Sequence, residues 1–321
     1  MIRTIQSPVA GWTKAENGTI ITGEGYALDE SVLTRACQYN RVPTALIGVD
    51  QKHGTNLTQE VLGLVMGNKV PTLTVDDALG QILSYVDPRR QWIPDEIFLD
   101  MDLNRWLLDS GCDVEEEDKA HKAMRRKTFT FISNENDPQY QFMGDVFKKQ
   151  LIVERLDEGG LLITFGTLRM ICTNGAMSND KAFRKIFKSI ELGNQDVQNF
   201  LGLFGRKVLE LPLAGYFHEM WTDNQGEMLK ASVGDYMGMK NTLKKITDED
   251  VSDLLFPMSP IEEHYGNQGI DIYKLSRSHR DMIPAGVSYY DSFNFLTNGI
   301  KAKGDEMSLG EKIEVASWTK P

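Results

Sequence analysis

The chain has 321 residues, of which 41% are hydrophobic and 25% are charged, and its formal net charge is −11. This composition is typical of a folded globular protein, and no apolar run approaches the ~20 residues that a membrane-spanning helix requires. The three cysteines lie far apart in the sequence, which argues against a disulfide framework and a thiolate zinc site. Because residues 1–8 lack the apolar core of a secretory signal, we expect a cytoplasmic protein without a metal or cofactor.

The charge is unevenly distributed along the chain. Residues 1–118 carry 9 Lys/Arg against 19 Asp/Glu, residues 119–245 carry 19 against 14, and residues 246–321 carry 7 against 13. The middle is therefore basic (+5), although both flanks are acidic (−10 and −6). A net charge of −11 would by itself repel nucleic acid, because phosphates are also negative. The asymmetry nevertheless indicates an interaction face in the basic middle of the chain.

Strand and helix patterns alternate through the first part of the chain, which predicts an N-terminal α/β lobe over residues 1–110. The residue at position 76, Asp76, is suited to cap a helix because a carboxylate accepts the free backbone N–H groups of a first turn. The apolar patterns predict strands at 44–49 and 70–75 and helices at 57–66 and 76–86.

Four acidic residues then lie close together: Asp95, Glu96, Asp100 and Asp102. In a strand, Asp100 and Asp102 would share one face, and paired carboxylates can hold Mg²⁺ for phosphodiester cleavage. The apolar residues between 97 and 108 favour a helix with a solvated acidic face instead. A metal-dependent nuclease is therefore the less favoured interpretation of these four acidic residues.

A sharp change of charge follows at residues 111–127, where four consecutive acids precede five bases within ten residues. In a helix, Glu115–Lys119 and Asp118–Lys122 would be neighbours at i,i+4, each pair contributing ~0.3 kcal/mol. The acids would then lie at the helix N-terminus and the bases at its C-terminus, as the helix dipole favours. The pattern predicts a surface helix.

The next segment is rich in strand patterns. Residues 128–132 alternate between polar and apolar side chains, and residues 157–160 form a turn signal between two apolar runs. The predicted strands are 128–132, 149–156, 161–165 and 168–173. Helices are predicted after residue 179, at 181–190, at 196–209 and at 289–302. These elements predict an α+β fold, in which a central antiparallel sheet over about 127–175 packs against helices of a domain at 111–321, or of one continuous domain.

Two segments resemble a family usually called phage/plasmid-like proteins. The first is Leu168–Gly175, a strand ending in Cys-x-Asn after a hairpin, and the second is Gly286–Thr297, a helix with a similar Asn and Thr spacing. The resemblance covers about residues 140–305. It implies an origin in a phage, prophage or plasmid and a role in DNA metabolism.

The basic middle third is the candidate nucleic-acid interface. In a helix, Lys181, Arg184, Lys185 and Lys188 would form one basic stripe, and Arg125, Arg126 and Lys127 run into the aromatic strand of Phe129 and Phe131. Lys148, Lys149 and Arg155 lie on the predicted hairpin, and Arg169 lies on the next strand. Lys and Arg would track phosphates, and each base stacked on an exposed aromatic would contribute ~1–3 kcal/mol.

The sequence therefore predicts a non-enzymatic, single-stranded DNA-binding protein of a phage, acting in replication, recombination or transcription. Phage polymerase or replication proteins are further candidate partners. The main alternative is a phage protein–protein factor without DNA contact, such as an inhibitor of a host defence or a polymerase accessory. No enzyme motif supports catalysis: His218-Glu219 begins like a zincin helix, but Thr222 stands where that motif needs its second histidine.

Overall fold

The computed structural model describes residues 2–15, 18–99, 113–121, 123–132, 137–169, 184–188, 193–245 and 249–303. Three sheets pack against helices, and most of their strand pairs are antiparallel. The predicted α+β fold is confirmed. In these ranges, no helix is both long and apolar enough to cross a membrane. The proposed domain boundary near residue 110 lies outside the described residues.

The first sheet is six-stranded, in the order β1-β5-β6-β4-β3-β2. Its strands are β1 (Ile2–Gln6), β2 (Thr13–Lys14), β3 (Ile20–Ile21), β4 (Ala27–Leu28), β5 (Thr72–Asp76) and β6 (Gln81–Tyr85). The helices beside it are α1 (Glu30–Tyr39), α2 (Ala45–His53) and α3 (Leu57–Met66). Their inward side chains, among them Val32, Leu62 and Leu73, form a hydrophobic core of their own.

Two predictions in this lobe are wrong. Residues 45–49 belong to a helix, α2, which begins after its N-cap Thr44, turns Ile47 into the core and is followed by its C-cap Gly54 with φ +66°. A short apolar run fits a strand and a buried helix equally well, so only packing separates them. The predicted helix at 76–86 is a strand hairpin, because Asp76 accepts the N–H of Ala78 to make a tight turn.

The second sheet is antiparallel, in the order β12-β11-β10-β8-β7, with β9 beside β10. Its strands are β7 (Val114–His121), β8 (Met124–Phe131), β9 (Gln141–Phe142), β10 (Asp145–Arg155), β11 (Leu161–Arg169) and β12 (Arg184–Phe187). The central hairpin of β10 and β11 is the one predicted from the turn at 157–160. Residues 170–173 of the last predicted strand lie outside the described residues.

The predicted surface helix at 111–127 is also wrong, because this segment forms the hairpin of β7 and β8. Its opposite charges meet across the two strands, so Asp118 lies opposite Lys127 and the Glu116 carboxylate is 3.3 Å from the Lys127 ammonium. Asp118, which would pair with Lys122 at i,i+4 in a helix, bonds to Arg125 across the hairpin instead.

Helices dominate residues 193–303, as predicted for the chain after residue 179, although the segment at 184–187 is a strand. A short helix, α4 (Asp95–Leu99), precedes the second sheet. The later helices are α5 (Gly193–Phe200), α6 (Arg206–Glu210), α7 (Leu213–Trp221), α8 (Val233–Lys244), α9 (Glu249–Leu255), α10 (Ser259–Gly266), α11 (Arg277–Arg280) and α12 (Tyr289–Lys303). A π-helical turn at Leu201–Gly205 joins α5 to α6, and β13 (Lys230–Ser232) pairs with β14 (Pro284–Ser288).

The turn between β10 and β11 forms hydrogen bonds with residues 87–91, the segment that follows the last strand of the first sheet. Its Gly160 N–H donates to the Gln91 carbonyl at 2.8 Å, and the Glu158 carbonyl accepts the N–H of Asp87 at 2.9 Å. The Gln91 N–H donates in turn to the carbonyl of Lys188 at the end of β12. These backbone bonds fix the segment at 87–91 against the sheet.

Candidate nucleic-acid interface

Arg155, one of the residues predicted to bind DNA, is fully buried. Its guanidinium donates to the carbonyls of Ile93 and Ala123, both at 2.9 Å, and forms an ion pair with Asp95. The same guanidinium lies 4.3 Å from the ring centroid of Trp92. Arg155 therefore holds the core together and offers no charge to a phosphate.

The three bases of β8 are paired with carboxylates. Arg125 bonds to Asp95 and Asp118, at 2.8 Å and 3.2 Å, and the buried Arg126 bonds to Glu154 at 2.8 Å. Lys127 pairs with Glu116 on the neighbouring strand, as described above. These acids come from the segment before the basic region and from β10, so all three bases of β8 are neutralised in the fold.

The expectation of exposed aromatic side chains on this sheet is wrong for Phe129 and Phe131. Phe129 is 1% exposed, and both rings belong to the core between the sheet and the helices α4 to α6. Alternation along β8 turns them to the side that the helices cover. They cannot stack on bases without unfolding the core.

The lysines of β10 are buried as well. Lys149 donates from its ammonium to the carbonyl of Leu209 and lies 5.6 Å from the ring of Tyr140, and Lys148 on the same strand is also buried. A buried ammonium needs acceptors close by, which the end of α6 supplies here. Lys149 therefore stabilises the contact between β10 and α6.

Exposed basic residues remain on the edge strand β12 and directly after it. Lys185 and Lys188 are exposed, neither forms an ion pair with a described residue, and the Lys185 ammonium lies 4.8 Å from the ring of Phe187. The predicted helical stripe is replaced by this strand, on which the side chain of Arg184 is not described. Lys181 and the side chain of Arg169 also lie outside the described set.

Of the four acidic residues proposed for a nuclease, the structure describes Asp95 and Glu96. Burial alone would raise the pKa of Asp95, but the hydrogen bonds and charges of Arg155 and Arg125 outweigh it and hold that pKa below its usual value. Glu96 is exposed, and Asp100 and Asp102 lie outside the described residues. Within the described ranges, no group of three acidic, His or Cys side chains could hold a metal ion.

Sequence reasoning missed an exposed apolar face on α3. Leu62 and Met66 point into the core of the first lobe, whereas Leu57, Leu64 and Val65 point outward, and Leu64 is 82% exposed. The outward residues repeat at i, i+7 and i+8, with the half-buried Val61 between them, so they form a second apolar stripe on the same helix. Two apolar faces on one ten-residue helix were the signal available in the sequence.

The neighbourhood of this stripe, which we call the α3 face (Leu57, Val61, Leu64 and Val65), is also apolar. Val49 on α2 and Val70 after α3 are exposed, so five exposed large apolar side chains lie between residues 49 and 70. Glu60 lies at the start of α3 and Lys69 just beyond its end, and neither forms an ion pair with a described residue. The face is thus bordered by one acid and one base at opposite ends.

Comparison of this chain with protein-family models, with curated proteins and with solved structures found no match.

Proposed function

We propose that the chain is a non-enzymatic protein–protein factor of a phage, and that its α3 face pairs with the α3 face of a second copy. The observation that carries this proposal is the outward apolar stripe centred on Leu64. Contiguous exposed apolar residues bordered by polar ones are typical of protein interaction sites. The phage origin rests on the resemblance of the segments at 168–175 and 286–297.

A second copy fits the α3 face because the face is self-complementary. In a two-fold dimer the same patch contributes from both partners, and an antiparallel crossing of the two α3 helices is the arrangement that brings their oppositely charged ends together. Leu57, Leu64 and Val65 of each copy would then lie against those of the other. Glu60 at the start of one helix would approach Lys69 beyond the end of the other, which satisfies both charges at the rim.

Salt distinguishes this assembly from binding to nucleic acid. Two copies that each carry a net charge of −11 repel one another, and added salt screens this repulsion. Association through an apolar face is therefore expected to be maintained or strengthened as salt increases. Association with a phosphate backbone weakens under the same change.

The first test is the oligomeric state of the full chain. Sedimentation equilibrium is expected to show a reversible dimer, and Leu64→Asp is expected to raise its dissociation constant roughly 100-fold, because a charge would be buried in the interface. Leu79→Asp is the matched control: Leu79 is similarly exposed, but in the turn between β5 and β6, so this variant should dimerise like the wild type.

A wild-type chain that stays monomeric at all concentrations would refute the pairing, as would a dimer that Leu64→Asp leaves intact. Unfolding curves of both variants should overlay that of the wild type, because neither side chain contributes to the core. A monomer that binds a helical peptide through the α3 face would contradict the second copy as the occupant.

Single-stranded DNA binding remains a second candidate, supported by the exposed Lys185 on β12 and the exposed Lys188 directly after it. Both lie within the basic middle third of the chain. An edge strand with exposed lysines can follow a phosphate backbone, and Lys181 and Arg184 belong to the same stretch of sequence. This candidate rests on fewer charges than the sequence predicted.

Replacing both Lys185 and Lys188 by alanine tests this candidate. If each contacts a phosphate, the slope of log affinity against log salt for an oligo-dT strand should fall by about 1.4, at ~0.7 per contact. A double alanine variant of the exposed Lys52 and Lys230 serves as the control and should leave the slope unchanged. Equal slopes for all three proteins, or no binding at low salt, would remove the candidate.

A further inference from the structure

The first lobe contains a cleft of about 530 Å³ that none of the surfaces above includes. It lies over one end of the first sheet, between the strands β2, β3, β4 and β6 and the three helices α1, α2 and α3. This volume lies in the range of small-molecule sites in proteins, which are concave and mostly apolar with a few placed polar groups.

The floor of the cleft is aliphatic. Leu28 on β4, Leu33 on α1, Ile47 on α2 and Ile82 on β6 all line it and are otherwise buried in the core of the lobe. Because they belong to that core, the floor is formed before any ligand enters. A flat ring could lie against such a floor and exclude water from it.

Hydrogen bonds fix the walls. Asp50 accepts from the Thr55 hydroxyl and from the backbone N–H groups of Leu57 and Thr58, so it caps α3 from the neighbouring helix. Lys14 donates to the carbonyls of Asp50 and Thr55. The carboxylate and the ammonium are therefore occupied in holding the walls, and the cleft is rigid around them.

Side-chain amides supply the recognition groups. Gln59, Gln81 and Asn56 line the cleft, and Nε2 of Gln59 is buried without a hydrogen-bond partner among the described residues. An amide presents a donor and an acceptor in one plane, which matches the edge of a nucleobase. Because Nε2 of Gln59 is closed off from solvent, the exposed amides of Gln81 and Asn56 are the groups that would bond to a bound ring.

The charge of the cleft excludes anions. Asp29, Glu30 and Asp50 line it, and Lys14 is the cation among the described lining residues. The carboxylate of Glu30 is exposed at the rim, where it could accept hydrogen bonds from ribose hydroxyls, whereas a phosphate would be repelled. We infer that the cleft binds an uncharged nucleobase or nucleoside and discriminates against nucleotides.

The test is titration of the full chain with adenosine, guanosine, cytidine and uridine, with binding measured by isothermal titration calorimetry or by amide NMR shifts. One of them is expected to bind saturably, and its 5′-monophosphate is expected to bind at least about tenfold more weakly, since one phosphate would face three carboxylates. Asn56→Leu should lower the affinity by a similar factor, because it removes an exposed lining amide that makes no capping hydrogen bond to α3. Gln38→Leu, at an exposed position of α1 away from the cleft, is the control and should bind like the wild type.

Gln81→Leu provides a second variant, because its side chain is exposed and its loss should not affect folding. Saturable binding that weakens in both cleft variants, with their unfolding curves unchanged, supports the inference. No saturable binding of any nucleoside up to its solubility limit would overturn it. So would monophosphates that bind as tightly as nucleosides, or equal affinities for the wild type and both cleft variants.

Discussion

Replacing Arg155 by alanine is expected to lower the free energy of unfolding by about 3–5 kcal/mol, as is typical when one partner of a buried ion pair is removed. The carbonyls of Ile93 and Ala123 would lose their donor, and Asp95 would lose one of its two arginine partners. The contact of the guanidinium with Trp92 would disappear as well, leaving a cavity between β10 and α4. Urea unfolding followed by circular dichroism measures this loss.

Two comparisons make the Arg155 prediction specific. Arg155→Met keeps most of the volume but none of the donors, so its loss should be smaller than that of Arg155→Ala. Lys188→Ala removes an exposed base and should change the stability by less than about 0.5 kcal/mol. An Arg155→Ala variant that is as stable as the wild type but binds DNA with a lower salt slope would show that the arginine faces solvent and a phosphate.

Replacing Gly160 by alanine is expected to cost about 3 kcal/mol, which combines backbone strain with a steric clash. Gly160 has φ +79°, and a Cβ at this position would lie 2.6 Å from the carbonyl oxygen of Phe187. That oxygen belongs to the backbone of β12 and cannot move without disturbing the sheet. Because the Gly160 N–H also binds Gln91, the substitution should loosen the segment that joins the first sheet to the second.

Gly226→Ala separates the two contributions to the Gly160 result. Gly226 has nearly the same backbone angle, φ +80°, but a Cβ there would meet no atom within 4 Å. It should therefore cost only the strain of the left-handed conformation, about 1 kcal/mol. Equal losses for the two variants in urea unfolding would show that the contact with Phe187 contributes nothing.

The parts of the fold that could be predicted are those with a local physical cause. The turn at 157–160 contains Gly159 and Gly160, both with positive φ, and it connects two long apolar runs, so the hairpin of β10 and β11 follows directly. The helices at 57–66 and 289–302 have periodic apolar residues over three or more turns. In each case, the signal lies within a single stretch of the chain.

The wrong predictions come from patterns that satisfy two structures equally well. Residues 114–131 carry opposite charges at spacings that suit a helix, yet the same charges pair across a hairpin once β8 finds its place beside β10. Residues 184–187 have apolar side chains that suit a helix, but the free edge of β11 offers them backbone partners. Backbone hydrogen bonds to a distant strand decide both cases, and the local sequence does not contain that partner.

The candidate nucleic-acid interface also combines features with a local cause in the sequence and features that depend on distant partners. The sequence by itself determined that the middle third is basic, that a β-hairpin lies at its centre, and that the chain has an α+β fold. Only the tertiary structure decided that Arg125, Arg126 and Arg155 meet carboxylates and that Phe129 faces the core, because those partners come from distant segments. Burial favours such pairing, since an ion taken out of water needs an opposite charge beside it. The same packing left Leu64 and Val65 of the α3 face exposed, because a helix covers the core with one side and no described residue of the first lobe buries these two side chains on the other.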